Sequence, residues 1–178
     1  MKKIILVVCK GNIHRSVIAE ICIREKIEKL GLGNEFEVAS RGLQGTCQTD
    51  IPRFPNIKEY ELEWKYTEPI LQEMGIEISD DRKSTPVDRD IVKMSSLILA
   101  MDKDVLCGFP NCLVNQFPEF GFKMRLFNEM IGGVSDILDC SKKTNAEIYR
   151  HTIMTIYSIA EKCAHRMCLL ADILSTNI

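Results

Sequence analysis

Ile4-Ile-Leu-Val-Val8 runs straight into Cys9-Lys-Gly-Asn-Ile-His-Arg15-Ser16, and the change of character between these two stretches decides the fold. The first stretch is a continuous, mostly β-branched apolar run without alternation, the pattern of a strand buried on both faces of a parallel sheet. The second is polar, contains Gly11 and Asn12, and leads into Ala19, Ile23, Ile27 and Leu30 at helical spacing. Gly31 and Gly33 stop that helix. A strand, a turn and a helix begin a parallel β–α unit, and in open sheets of this kind ligands bind at the carboxyl ends of the strands, where the turn lies.

Working outward, Glu35 to Ala39 reads as a second strand, and Gly42 to Asn56, with Pro52 and Pro55, as a loop. A helix is predicted from Tyr60 to Met74, interrupted near Pro69 and ended by Gly75. A short helical stretch from Asp88 precedes a third buried strand, Ser95 to Met101, and Lys123 to Phe127 reads as a fourth. The last helix carries Tyr149, Ile153, Ile156, Ala160, Cys163, Met167 and Leu170 on one apolar stripe. Strands alternating with helices predict an α/β fold in three layers: a central, mainly four-stranded parallel sheet with helices on both faces. The expectation is a single domain spanning residues 1–178.

Composition agrees with a chain that folds around a core. Of the 178 residues, 46% are apolar and 27% charged, which excludes intrinsic disorder. The net charge is −2 with no basic block, so no nucleic-acid partner is expected. The apolar start is broken by Lys10 and lacks a small-residue cleavage site, and no stretch is long enough for a membrane helix. A cytoplasmic protein without a membrane partner is expected. Eight cysteines are spread through the chain without an export signal, so most are read as small buried hydrophobes rather than disulfides. Cys107 and Cys112 form a lone pair without a second pair to complete a zinc site, and His151 and His165 stand roughly 21 Å apart on one helix. Neither a metal nor another cofactor is expected.

The turn has the spacing C-x5-R-S. A loop of that length can curl so that its backbone N–H groups point inward, with Gly11 relieving the tight conformation and the following helix adding its positive end. The nest suits a phosphate or other oxyanion, held by Lys10, Gly11, Asn12, Ile13, His14, Arg15 and Ser16. Arg15 offers a bidentate fork that lysine lacks. Cys9, at the base, would be surrounded by donors and positive charge, the setting of a thiolate nucleophile. Ser16 can donate to the thiolate, and Asn12 can tie the loop together.

At these residues the chain resembles the low-molecular-weight protein tyrosine phosphatase family, whose loop reads V-C-x-G-N-x-C-R-S and opens a helix beginning P-x-A-E. Here Val8 to Ser16 is followed by Val17-Ile18-Ala19-Glu20. The resemblance continues in Ser40-Arg41-Gly42 for S-A-G, in Leu97-Ile-Leu-Ala-Met-Asp102 for L-I-L-A-M-D, and in Asp136-Ile-Leu-Asp139 for the segment that supplies the general acid. It implies two-step phosphoryl transfer: Cys9 attacks phosphorus, Arg15 holds the phosphate, and Asp139, arriving protonated, protonates the leaving oxygen before acting as base for water. Ser40 and Asn12 would support the loop. The implied substrates are phosphorylated proteins, phosphotyrosine above all, or small aryl phosphates.

The chain departs from the family pattern at several points. His14 stands where the second loop cysteine would be, and either adds positive potential near Cys9 or faces solvent. Cys140 replaces the proline after the acid, which loosens that loop; its thiol is either a resolving partner for oxidised Cys9 or a surface cysteine. Ser141-Lys142-Lys143 replaces two aromatic residues, removing a wall of the cleft and offering two lysines to an acidic substrate. Trp64, Tyr60 or Phe54, in or beside a stretch that matches nothing in the family, could supply the wall. Ile13 stands where relatives that accept phosphoarginine carry threonine, which favours phosphotyrosine-like esters. Two other functions remain open: an arsenate reductase using Cys107 and Cys112, and a phosphate-binding module without turnover.

Overall fold

The computed structural model describes residues 2–176. Four parallel strands form one sheet in the order β2-β1-β3-β4, with β1 Lys3–Cys9, β2 Phe36–Gly42, β3 Ser95–Ala100 and β4 Met124–Leu126. The helices are α1 Arg15–Lys29, α2 Glu61–Met74, α3 Arg89–Met94, α4 Leu113–Gln116 and α5 Ala146–Ser175. The arrangement is the three-layer α/β fold with a central parallel sheet.

Side-chain alternation along β1 divides the core. Ile5, Val7 and Cys9 join the cluster under α1 and α5, while Leu6 and Val8 join a second cluster with Val92 of α3 and Leu113 of α4. The residues of β3 are buried on both faces in the same way, which is why each strand reads as an unbroken apolar run. The stripe on α5 is buried at Tyr149, Ile153, Ile156, Ala160, Cys163 and Met167. On α1, Ala19, Ile23 and Ile27 are buried but Leu30, the C-cap, is exposed. No helix among the described residues is long and apolar enough to cross a membrane.

Several elements differ from the sequence expectation. Strand β2 extends to Gly42, because its ladder with β1 continues through Cys9↔Gly42 even though Ser-Arg-Gly has little strand propensity of its own. Helix α2 runs through Pro69 without interruption: Thr67, Ile70 and Leu71 are buried on its inner face, and that packing outweighs the missing N–H. It ends at Gly75, whose φ of 68° is the left-handed C-cap that glycine adopts without strain. Strand β4 has only three residues. Lys123 lies just before it, wholly buried, and donates from Nζ to the carbonyls of Ser95 at 2.6 Å and Lys93 at 3.1 Å.

Candidate active site

The carboxyl ends of β1, β2 and β3 lie side by side, in the register Val8↔Arg41 and Val8↔Ala100, so the Cys9–Ser16 turn, Ser40 and Asp102 meet at one edge of the sheet. Helix α1 starts at Arg15, and no side chain caps it.

Cys9 is buried, and its Sγ lies 3.0 Å from Ser16 Oγ and 3.2 Å from the Asn12 backbone N–H, which donates to it. Asn12, with φ 54°, is the left-handed residue of the loop, a conformation asparagine tolerates; Gly11, expected to relieve the turn, does not have positive φ. The glycine that the turn does require is Gly42 of β2. A Cβ there would stand 2.8 Å from the Gly11 carbonyl carbon and 2.9 Å from the Asn12 nitrogen, so only a bare backbone lets β2 approach the loop.

Below the loop runs a buried polar network. Asn12 Nδ2 donates to Ser40 Oγ at 2.7 Å and Ser16 Oγ at 3.1 Å, and its Oδ1 accepts from the Thr85 N–H at 2.9 Å. The Ser40 hydroxyl donates to Glu20 Oε2 at 2.7 Å. Arg82 Nη2 reaches both Ser40 Oγ, at 2.6 Å, and Glu20 Oε2, at 2.8 Å, while Arg24 pairs with the other Glu20 oxygen. A carboxylate buried this deeply stays acceptable because every contact is a charge-assisted bond.

Arg15 is 4% exposed and links three parts of the site. Its Nη1 donates to Asp102 Oδ2 at 2.6 Å and to the Ile137 carbonyl at 2.8 Å, and its Nη2 lies 3.3 Å from Asp139 Oδ2. Burial works against its charge, but Cys9, Asp139 and Asp102 together hold its pKa above the ordinary arginine value. For Asp139, burial favours the neutral acid, yet Arg15 above all and the Ser141 N–H at 3.0 Å outweigh it and hold the carboxyl below its usual range. With Arg15 beside it, Asp139 is held toward its ionised form.

His14 meets neither of its two expected roles in full. Burial, followed by the neighbouring Arg15 charge, lowers its pKa to about 4, so at neutral pH the ring adds no positive potential. Nor does it face solvent freely: Nε2 lies 3.1 Å from Thr67 Oγ1, Nδ1 lies 3.4 Å from Cys140 Sγ, and the ring meets Tyr149 edge-on at 6.0 Å. Cys140 is 2% exposed, which excludes the surface reading, and burial pushes its thiol up to about 12. The loop that carries it is tied down rather than loosened. Its ties include Ile137 N–H to the Met101 carbonyl at 2.9 Å, Thr152 Oγ1 to the Leu138 carbonyl at 3.3 Å, and Lys103 N–H to Asp136 Oδ1 at 2.8 Å.

A cleft of about 610 Å³ opens above Cys9. Lys10, Gly11, Ile13, His14 and Arg15 line its floor; Asn12 and Ser16 do not, since they lie beneath it with their polar groups in the buried network. Phe54 and Tyr60, whose rings meet edge to face at 5.2 Å, form a wall with Pro52, and Tyr149 also lines the cleft. The stretch that matched nothing in the family thus supplies the aromatic surface. Trp64 does not line the cleft; it packs on the core with Lys58 over its ring. Of the two lysines after the acid only Lys142 borders the cleft. Cys107 and Cys112 do not line it, which leaves the reductase alternative without its relay, and among the described residues no group of three metal-ligating side chains comes together.

Sequence reasoning gave no role to Asp102, Glu20, Arg82 or Thr85. Asp102 had a signal, an acid closing the buried run of β3 at the ligand-binding edge. Glu20 had another, an acid inside the apolar stripe of α1. Arg82 and Thr85 had none.

The family model described as low molecular weight phosphotyrosine protein phosphatase matches residues 4–169. Among solved structures, a low molecular weight protein tyrosine phosphatase from T. tengcongensis is 25% identical with a TM-score of 0.70, covering 93% of this chain and 99% of that one. The YwlE arginine phosphatase from Geobacillus stearothermophilus is 23% identical with a TM-score of 0.68, over 94% of both chains. Vibrio vulnificus Wzb in complex with benzylphosphonate is 22% identical with a TM-score of 0.66, covering 93% and 99%. No curated protein matches the chain.

Proposed function

The chain belongs to the low molecular weight phosphotyrosine protein phosphatase family, and from that premise we propose that it hydrolyses phosphotyrosine in proteins through a phosphocysteine on Cys9. The observation that carries the proposal is the convergence at the floor of the cleft: a thiol that accepts from the Asn12 N–H and touches the Ser16 hydroxyl, a buried arginine beside it, and a carboxyl 3.3 Å from that arginine.

The steps follow from this arrangement. The Cys9 thiolate attacks phosphorus in line, an S–P bond forms and the bond to the tyrosyl oxygen breaks. Loop N–H groups and Arg15 hold the equatorial oxygens where charge gathers. A phosphate dianion competes with Asp139 for Arg15 and adds negative charge beside the carboxyl. Both effects raise its pKa, so Asp139 takes up a proton as substrate binds and gives it to the leaving phenolate. In the second step Asp139 removes a proton from water, whose oxygen attacks phosphorus and releases orthophosphate and the thiolate. No step calls for a metal or cofactor. We place the reaction in the cytoplasm, whose reducing conditions keep a catalytic thiol usable.

The wall of Phe54 and Tyr60 supports an aromatic ester, since it offers a face for the tyrosyl ring. The test is hydrolysis of p-nitrophenyl phosphate, a phosphotyrosine peptide and a phosphoarginine peptide, with chelator present, by wild type, Cys9→Ser and Asp139→Asn. Chelator-resistant turnover of the first two, lost in Cys9→Ser and slowed about 10²–10⁴-fold in Asp139→Asn, supports the reading. Preference for phosphoarginine would overturn the substrate class, and an undiminished Asp139→Asn rate would remove the acid role.

A further inference from the structure

The mouth of the cleft carries charge that the chemistry at its floor does not use. Lys10 rises from the loop, Arg53 from the wall and Lys142 from the turn after the acid; all three are exposed and line the cleft. None of them has an ion-pair partner among the described residues. Two are seated on rings instead of on carboxylates. Lys10 Nζ lies 5.3 Å from the Phe109 ring centroid, and the Arg53 guanidinium lies 4.9 Å from that of Phe54. A cation held against an aromatic face keeps its position without a counter-ion, leaving its charge available to a ligand.

Lys142 is held through its backbone, where φ is 59° and the N–H donates to Glu63 Oε1 at 3.1 Å. The two acids that border the cleft are already engaged: Glu63 by that amide, Asp139 by Arg15 and Ser141. The chain as a whole carries −2, so the cationic mouth is a local feature against the overall sign.

We propose that Arg53 and Lys142 recognise carboxylates flanking the phosphotyrosine, making acidic phosphotyrosine segments the preferred substrate class. This rests on the phosphatase reading above. The phosphate itself goes to the loop and the tyrosyl ring to Phe54 and Tyr60. The neighbouring residues of the bound segment then lie at the rim, where Arg53 stands next to the ring wall and Lys142 stands three residues past Asp139.

The experiment compares two phosphotyrosine peptides of equal length, one flanked by glutamate and one by glutamine, by their ratio of kcat/KM. Wild type, Arg53→Gln/Lys142→Gln and Arg53→Glu/Lys142→Glu are measured at low and high ionic strength. The expected ratio is about three to ten in favour of glutamate for wild type, the size that exposed charge pairs support, and it shrinks in high salt. It falls to about one in the neutral variant and below one in the reversed variant. A wild-type ratio of one, or a ratio that both variants leave unchanged, overturns the proposal. Binding of the same peptides to Cys9→Ser by fluorescence anisotropy separates the two readings. Tighter binding of the glutamate peptide without turnover of any phosphoester would keep the charge reading and sink the phosphatase one.

Discussion

The floor of the cleft and its mouth are built on opposite terms. Directly beneath the floor, Asn12, Ser16, Ser40 and Glu20 are all buried, and each makes hydrogen bonds or ion pairs to others in the same network. At the mouth, Arg53, Ser141 and Lys142 are exposed, and the wall residue Phe54 touches the fold through one ring contact, one cation and its own backbone. The difference teaches where each kind of specificity resides. Phosphate chemistry needs donors fixed before substrate arrives, which a buried network provides. Recognition of the rest of the substrate is carried by exposed groups whose individual contributions are small.

Substitutions at the floor should therefore cost far more than those at the mouth. The largest effect is expected for Arg15→Lys. A point charge cannot serve Asp102, the Ile137 carbonyl and the phosphate together, so kcat/KM on p-nitrophenyl phosphate should fall about 10²–10³-fold. A loss under fivefold would mean that the fork is not what holds phosphate.

Asn12→Gly comes next, because it keeps the left-handed backbone and removes only the amide. The Thr85 N–H and Ser40 each lose a partner, and a stability loss of about 1–3 kcal/mol in urea is expected, with kcat reduced at unchanged KM. An unchanged unfolding midpoint would show the network to be redundant.

His14 lies on the seam between the two regions, touching Thr67 of α2 and Cys140 of the acid loop. Its pKa is near 6.5 unfolded and about 4 folded. Between those values the unfolded chain binds more protons, so stability rises with pH and is lost as pH falls from 6.5 towards 4. Burial drives the shift, with Arg15 adding to it and Asp139 opposing it. The loss should reach at most about 2–3 kcal/mol, seen as a steeper fall of Tm between pH 6.5 and 4.5 in wild type than in His14→Gln. Parallel curves would show that His14 titrates normally.

The smallest effect belongs to Phe54→Ala. Loss of one ring from the wall should raise KM for aryl phosphates about three- to tenfold with kcat nearly intact. A fall in kcat comparable to that of Arg15→Lys would erase the distinction between floor and mouth.

How much of this was legible in the sequence depended on distance along the chain. The parallel sheet, the first and last helices and the C-x5-R-S turn could be read because each is a pattern within one segment. The continuity of α2 through Pro69 and the last residues of β2 could not, because packing and the β1 ladder override local propensity there. At the site, Gly42 illustrates the limit. The sequence contains a Ser-Arg-Gly, but only the approach of two strand ends explains the glycine.

The sequence by itself determined the fold class and the make-up of the loop, since hydrophobic period and turn spacing are local properties of the chain. Tertiary structure alone decided which carboxylate meets Arg15, across 87 residues, and which thiol meets His14, across 126. It also decided that His14 is neutral, that Asp139 is held ionised by Arg15, and that the aromatic wall comes from Phe54 and Tyr60. The physical reason is the same each time: burial and charge act through space, and no spacing in the sequence encodes a partner that arrives from another strand or loop.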